Sequence, residues 1–137
     1  MKFEILEHPA DIGFAAYGAT LEELFANAAI ALGSLACRTE EIHERAAREI
    51  AASGGNLESL MYAWLAEILA VTDAERFVFR RAEVTHLGAE DIRGVLHGEV
   101  VDRQRHIAGT YIKAVTYHQF EVRKTPSGWR TQVYLDV

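Results

Sequence analysis

Two stretches of the chain carry apolar residues at helical spacing, and each follows a residue that is suited to capping a helix. Thr20 precedes the first stretch and, with Glu23, forms the pattern of a capping box. Asn56 precedes the second stretch and offers a side-chain oxygen to its first turn. The two apolar stripes contain Leu21, Leu24, Phe25, Ala28, Ala29, Leu32 and Leu35 in the first, and Leu57, Leu60, Met61, Trp64, Leu65, Ile68 and Leu69 in the second. Because each stripe has to be covered, we predict two amphipathic helices that pack on a sheet.

Segments with alternating apolar and polar residues surround these helices. Strands are predicted over 2–6, 12–17, 76–87, 92–101, 112–122 and 129–137. Residues 125–128, with the sequence Thr-Pro-Ser-Gly, form a turn that joins the last two strands as a hairpin. Segment 38–53 is ambiguous, because its Ala, Glu and Arg content favours a helix while its apolar periodicity is weak. The predicted fold class is α+β, a single domain over 1–137 with the two helices packed on mostly antiparallel β-sheet.

The predicted strand over 112–122 has two faces that differ in character. Lys113 lies on the open face, together with Val115, Tyr117, Gln119 and Glu121. The other face is the expected core face and carries Ile112, Ala114, Thr116, His118, Phe120 and Val122. We therefore expect His118 to be buried, unless a bulge exchanges the two faces of the strand.

Charge and cysteine content limit the compartment and the partners of the chain. The net charge is −6 over 137 residues, which argues against a surface that neutralises phosphates, so RNA is expected only through a partner protein. Cys37 has no second cysteine to pair with and follows an apolar stripe, so a buried packing role in a reducing compartment is favoured. Neither a charged leader followed by an apolar run nor a long apolar run is found, so we expect no signal peptide, no membrane span and a cytoplasmic location.

The region from His97 to His118 has an unusual density of charge. Glu99, Asp102, His106 and His118 could ligate a metal or act as acid and base. They could equally form ion pairs on a solvated face with one hydrogen-bonded core histidine, the cationic partners being Arg103, Arg105 and Lys113. The spacing leaves both interpretations open.

A second group of residues offers oxygen ligands. Asp136 lies next to the terminal carboxylate of Val137, and Asp11 follows the corner formed at Pro9. If this corner adjoins the end of the last strand, three carboxylates converge, and all-oxygen ligation suits calcium or magnesium. An aspartate in such a corner is also commonly a turn or capping residue, so this alternative stays open.

Several motifs together resemble the archease family along essentially the whole chain. The motifs are His8-x-Ala10-Asp11-Ile12-Gly13, Tyr17-Gly18-x-Thr20-Leu21-x-Glu23-Leu24-Phe25-x-Asn27-Ala28, Trp64-Leu65-x-Glu67-Ile68-Leu69, Gly98-Glu99-x-x-Asp102, Arg105-His106, Ile112-Lys113-Ala114-Val115-Thr116-Tyr117-His118 and Leu135-Asp136-Val137. The chain departs from the family pattern at Asn56, Ala66 and Tyr111. The resemblance also favours a strand over a helix for the ambiguous segment ahead of Ser53.

The resemblance implies a protein cofactor and not an enzyme. Archeases assist the RtcB-type RNA-splicing ligase by promoting its guanylylation, in tRNA splicing and RNA repair. The resemblance implies calcium bound by Asp11, Asp136 and Val137. We expect four other residues to face or support the ligase, namely Asp102, His106, Lys113 and His118.

Two other functions are compatible with the sequence. One is a general chaperone or specificity modulator of RNA-modifying enzymes, such as a tRNA methyltransferase. The other is a metal-dependent hydrolase that uses Glu99, Asp102 and the histidines.

Overall fold

The computed structural model describes residues 1–8 and 11–137, except for the side chains of His8 and Asp11. Over these residues the chain forms eight strands, two α-helices and a short 3-10 helix at Thr39–Glu41. The turn predicted at Pro9 and the side chain of Asp11 lie outside the described part. The elements in chain order are β1 Phe3–His8, β2 Asp11–Gly18, α1 Leu21–Ala36, β3 Ala46–Ser53, α2 Leu57–Glu75, β4 Phe77–Leu87, β5 Asp91–Val100, β6 Ala114–Val115, β7 Glu121–Thr125 and β8 Gly128–Asp136.

The strands form two antiparallel sheets. Five strands make the first sheet, in which β2 lies between β1 and β8, and β6 and β7 both pair with β8. The second sheet has the order β3-β5-β4. The predicted α+β class, with helices on mostly antiparallel sheet, is confirmed.

The helices bury the two predicted stripes. Thr20 caps α1 by accepting the N–H of Glu23 at 3.2 Å, and Asn56 caps α2 by accepting the N–H of Ser59 at 2.8 Å. α1 contacts strands of both sheets, and α2 packs mainly on β3. Full burial of a large apolar side chain stabilises the fold by about 1.5–3 kcal/mol. Neither helix in the described chain combines the length and apolar character needed to cross a membrane.

Trp64 is the largest fully buried side chain and joins the two helices. Its indole N–H donates to the carbonyl of Phe25 at 3.0 Å, so the one polar atom of the ring is satisfied. The ring also lies against Gly94 of β5, where an added Cβ would come within 2.6 Å of it. The predicted core role of the second stripe is confirmed here.

The structure resolves whether segment 38–53 is a helix or a strand. A single 3-10 turn at Thr39–Glu41 is followed by the strand Ala46–Ser53, which pairs with β5. Strand pairing along its full length thus overrides a residue composition that favours a helix.

The prediction of one continuous strand over 112–122 is largely wrong. Ala114 and Val115 pair with β8, the chain then turns, with the N–H of Phe120 donating to the carbonyl of Tyr117 at 3.2 Å, and Glu121 and Val122 begin the separate strand β7 on β8. Gln119 adopts a left-handed conformation with φ 49°. This turn breaks the alternation, so His118 is exposed and not buried as predicted.

Candidate functional site

One corner of the five-stranded sheet brings distant parts of the chain together. Leu135 pairs with Ile12 on one side of β8, and Asp136 pairs with Ala114 on the other. Continuing the first register by one residue sets the backbone of Asp11 level with Asp136. On the opposite side the N–H of Lys113 donates to the carbonyl of Asp136 at 2.8 Å. The end of β8 is therefore flanked by the start of β2 and by the segment that leads into β6.

The side chains at this corner are open to solvent. Asp136 is exposed, and Val137 is 46% exposed. Asp136 makes no ion pair with any residue whose side chain the structure describes. Among the described side chains no three His, Cys, Asp or Glu residues form a metal-binding group, and Asp11 lies outside that set. A carboxylate without a cationic partner, beside main-chain oxygens, is chemically suited to a hard divalent cation.

Lys113 and His118 lie on either side of β6, and both are exposed. The imidazole of His118 lies 5.8 Å from the ring of Tyr134, centroid to centroid. Thr116 fixes the intervening backbone, because its N–H and its hydroxyl both donate to the carbonyl of Tyr134 at 3.0 and 3.1 Å. Both side chains are thus held beside the end of β8.

A second polar group surrounds Glu99, which is only 5% exposed. Arg105 donates two hydrogen bonds to its carboxylate, at 2.9 and 2.8 Å, in a bidentate pair. The N–H of His43 and the ring of His106 reach the same carboxylate at 2.7 and 3.0 Å. These donors, Arg105 foremost, hold the pKa of Glu99 well below its usual range although burial opposes this shift.

The hydrogen bonds of His106 define its tautomer. The N–H of Asp102 donates to Nδ1 at 2.8 Å, so Nδ1 carries no proton. Nε2 must then carry the hydrogen that bonds to Glu99, and the ring is neutral. The N–H of His106 also donates to the carbonyl of Asp102 at 2.7 Å. Glu99 thereby fixes the loop after β5, and the exposed carboxylate of Asp102 is held on the outer side of this loop.

The structure separates the residues of the proposed acid-base or metal set. Glu99 and His106 bond to each other and are buried, whereas Asp102 and His118 are exposed on different turns. The described side chains contain no metal-binding group made of these four. The hydrogen-bonded core histidine considered in the alternative is His106 and not His118, because the turn after β6 carries His118 outward.

Two contributions to the site could not be predicted from the sequence patterns. His43 lies 56 residues from Glu99 and supplies a main-chain donor, which leaves no trace in the residue type. Tyr62 of α2 stacks on Tyr117 with ring centroids 4.0 Å apart and planes within 4°. Cys37, in contrast, is buried as predicted, and this burial raises the pKa of its thiol.

Comparison with known proteins places this arrangement in a family. The model of the Archease protein family matches residues 3–137. The chain belongs to the archease family. It is 40% identical over 140 residues to the archease of Methanosarcina mazei, covering 99% of this chain and 96% of that protein. The archease of Pyrobaculum islandicum is 42% identical over 135 residues, with 96% and 92% covered.

A solved structure agrees with the fold. The solution structure of Methanobacterium thermoautotrophicum protein 1598 superimposes with a TM-score of 0.82 at 30% identity, covering 98% of both chains. The present archease thus shares its overall fold with that protein. The roles of Asp11, Asp136 and Val137 toward a metal, and of Asp102, His106, Lys113 and His118 toward a partner, stay predictions.

Proposed function

We propose that this archease is a calcium-binding protein cofactor of the RtcB-type RNA-splicing ligase, and that it promotes guanylylation and turnover of the ligase in tRNA splicing and RNA repair. The observation that carries the proposal is the corner at the end of β8. There Asp136, which is exposed and makes no ion pair with a side chain that the structure describes, lies beside the backbone of Asp11 and the segment of Lys113. The proposal assigns the chemistry to the ligase and a positioning role to the archease.

In this proposal Asp11, Asp136 and Val137 hold the cation. Calcium accepts six to eight oxygen ligands in flexible geometry, so carboxylate and main-chain oxygens from two neighbouring strands are compatible with it. When bound, the cation neutralises like charges that would otherwise repel each other across this corner. Another divalent metal with the same preference for oxygen is compatible with the same ligands.

The surface beside the cation is the proposed contact with the ligase. Lys113 and His118 are exposed on either side of β6, and each is held by a backbone that bonds to β8. Asp102 is exposed on the loop that Glu99 anchors, and His106 supports this loop from within. RNA is reached only through the ligase, in keeping with the net charge of −6. The proposed location is the cytoplasm.

The test follows covalent guanylate on the cognate ligase, with GTP and a divalent metal present. We expect the rate to rise when the archease is added, and we expect Asp11→Asn and Asp136→Asn to remove this rise. Isothermal titration with calcium should show a matching loss of binding in both variants. Asp91→Asn is the matched control, because Asp91 lies on β5 and pairs with His86 at the surface.

Equal rates of ligase guanylylation with and without the archease contradict the cofactor role. Calcium binding that survives in both Asn variants contradicts the proposed ligands while leaving the cofactor role standing. If the ligase is unaffected but aggregation or site choice of an RNA methyltransferase changes, the specificity-modulator function replaces this proposal.

A further inference from the structure

A cavity of about 520 Å³ lies on the surface between the end of α2 and the loop that follows β5. Its polar lining includes Asp73, Arg76 and Arg103, and Tyr111 lies along its edge. Phe77 and Ile112, both buried side chains, contribute apolar atoms to its floor. The volume falls in the range of about 300–1,000 Å³ that is usual for small-molecule sites. We call this cavity the arginine groove.

The two arginines of the groove lack a side-chain partner among the residues that the structure describes. Neither Arg76 nor Arg103 forms a side-chain hydrogen bond or an ion pair with any described residue, whereas most other arginines of this acidic chain are paired. Lys113 lines an adjoining cavity of about 230 Å³, which shares Asp73 and Tyr111 with the groove. The combined lining of the two cavities thus has three cationic side chains that lack an ion-pair partner among the described residues and one carboxylate, Asp73.

The backbone of Arg76 strengthens the case for a functional side chain. Arg76 ends α2 in a left-handed conformation, with φ 50° and ψ 45°. Glycine is preferred at such a helix end because it has no Cβ to clash, and a long side chain there is unfavourable for the fold. Arg76 thus occupies a conformation that costs free energy and has no side-chain partner among the described residues, so its guanidinium group is available to a ligand.

The groove has groups suited to a base and a ribose as well as to a phosphate. A phosphate accepts bidentate hydrogen bonds from guanidinium groups. Tyr111, which is 65% exposed, provides an aromatic face of the kind on which nucleic-acid bases stack. The carboxylate of Asp73 is an acceptor for ribose hydroxyls. We propose that the arginine groove binds a ribonucleotide phosphate, with its phosphate at Arg76 and Arg103 and its base against Tyr111.

Binding is measured by titration calorimetry on the whole archease alone, so the result does not depend on its effect on a ligase. The probes are AMP, GMP, inorganic phosphate and a four-nucleotide RNA with a 5′-phosphate. We expect both mononucleotides to bind more tightly than inorganic phosphate. Tighter binding of the RNA than of the mononucleotides identifies an RNA end as the source of the phosphate and contradicts the proposal that RNA is reached only through the ligase, whereas equal binding identifies a free nucleotide.

Two arginine variants test the site without disrupting the fold. Arg76→Gly removes the cation and relieves the left-handed backbone, so its melting temperature should equal or exceed that of the parent. Arg76→Gly and Arg103→Ala should each weaken nucleotide binding about tenfold, as the loss of a charge-assisted hydrogen bond predicts. Tyr111→Ala should weaken mononucleotides but not inorganic phosphate.

The matched control is Arg93→Ala, which removes an exposed arginine of β5 that likewise has no side-chain partner among the described residues. It changes the net charge by the same amount and should leave binding unchanged. The proposal is overturned by absence of nucleotide binding at millimolar concentration. It is also overturned if inorganic phosphate binds as tightly as AMP, or if Arg93→Ala weakens binding as much as Arg76→Gly does.

Discussion

Two irregular segments carry exposed residues of the proposed partner surface, and they are held in place by different kinds of interaction. The loop after β5, at 101–106, is fixed to the buried carboxylate of Glu99 by Arg105 and His106. The turn after β6, at 116–120, is fixed by the rings of Tyr117 and Phe120 against Tyr62 of α2. We call them the charge-held loop and the ring-held turn.

The difference predicts how each segment responds to change. A buried charge that loses one partner leaves the other uncompensated, so damage to the charge-held loop is large and depends on pH. A ring that is removed from a half-exposed stack loses only its contact energy, so damage to the ring-held turn is small and independent of pH. Both segments carry exposed residues, but the interactions that hold the charge-held loop contribute more to stability than those that hold the ring-held turn.

The largest expected effect comes from Glu99→Gln. The amide keeps the shape of the side chain but leaves Arg105 and His106 facing a neutral group. Because Glu99 is buried while the side chain of Arg105 is 26% exposed, the remaining charge is partly solvated, and we expect the free energy of unfolding to fall by about 1.5–3 kcal/mol, measured by urea denaturation.

Glu83→Gln is the matched control for this substitution. Glu83 lies on the neighbouring strand β4 and pairs with His97 from a half-exposed position, 49% exposed in its side chain. A surface pair of this kind contributes at most about 1 kcal/mol. Equal losses in the two variants would contradict the view that Glu99 anchors the loop.

The second prediction concerns pH: the difference in the free energy of unfolding between the parent protein and Glu99→Gln should depend on pH. The pKa of Glu99 is lowered in the folded state, so its contribution to stability is complete above the unfolded pKa of about 4.3 and declines as the pH falls toward the folded value. Below pH 5 the two free energies of unfolding should therefore converge, by at most about 1.4 kcal/mol per pH unit for one carboxyl. Chemical denaturation between pH 6 and pH 3 measures this. A difference that stays constant would show that Glu99 does not titrate as proposed.

The sequence predicts the regular elements that surround both segments well. The caps at Thr20 and Asn56 and the helical stripes depend on residues close together in the chain, so local patterns suffice. The hairpin at 125–128 was confirmed for the same reason, since Thr125 pairs with Gly128. The sequence raised the approach of β2 to the end of β8 only as a condition for the carboxylates to converge, because strand order depends on contacts between distant residues.

The two irregular segments could not be predicted in the same way. The alternation over 112–122 fits a strand, but the stacking of Tyr117 on Tyr62 and a left-handed Gln119 replace it with a turn. The partners of Glu99 include a main-chain donor at His43, which no residue pattern encodes. Contacts between residues far apart in sequence decided both cases, and with them the exposure of His118 and the burial of His106.

A smaller effect is expected for Tyr117→Ala in the ring-held turn. The stacked pair with Tyr62 contributes about 0.5–1.5 kcal/mol beyond buried area, and Tyr117 itself is 63% exposed. We expect a loss of about 1 kcal/mol in urea denaturation, unchanged between pH 6 and pH 3. Tyr111→Ala is the control, because Tyr111 is equally exposed and makes no ring contact within the described chain; its loss should be within about 0.5 kcal/mol.

The smallest expected effect is a change in stability on substitution by glycine, which should have opposite signs in the two segments. Gln119 in the ring-held turn has φ 49°, a conformation that glycine adopts without a steric clash, whereas Gln104 in the charge-held loop has no such conformation. Gln119→Gly should therefore stabilise the fold by about 0.5 kcal/mol, since relief of the left-handed backbone exceeds the added entropy of the unfolded chain. Gln104→Gly has only the entropic term and should destabilise the fold by about 0.5 kcal/mol. Thermal melts of both variants measure the two shifts. Shifts of the same sign would mean that the ring-held turn does not impose the left-handed conformation on Gln119 in solution.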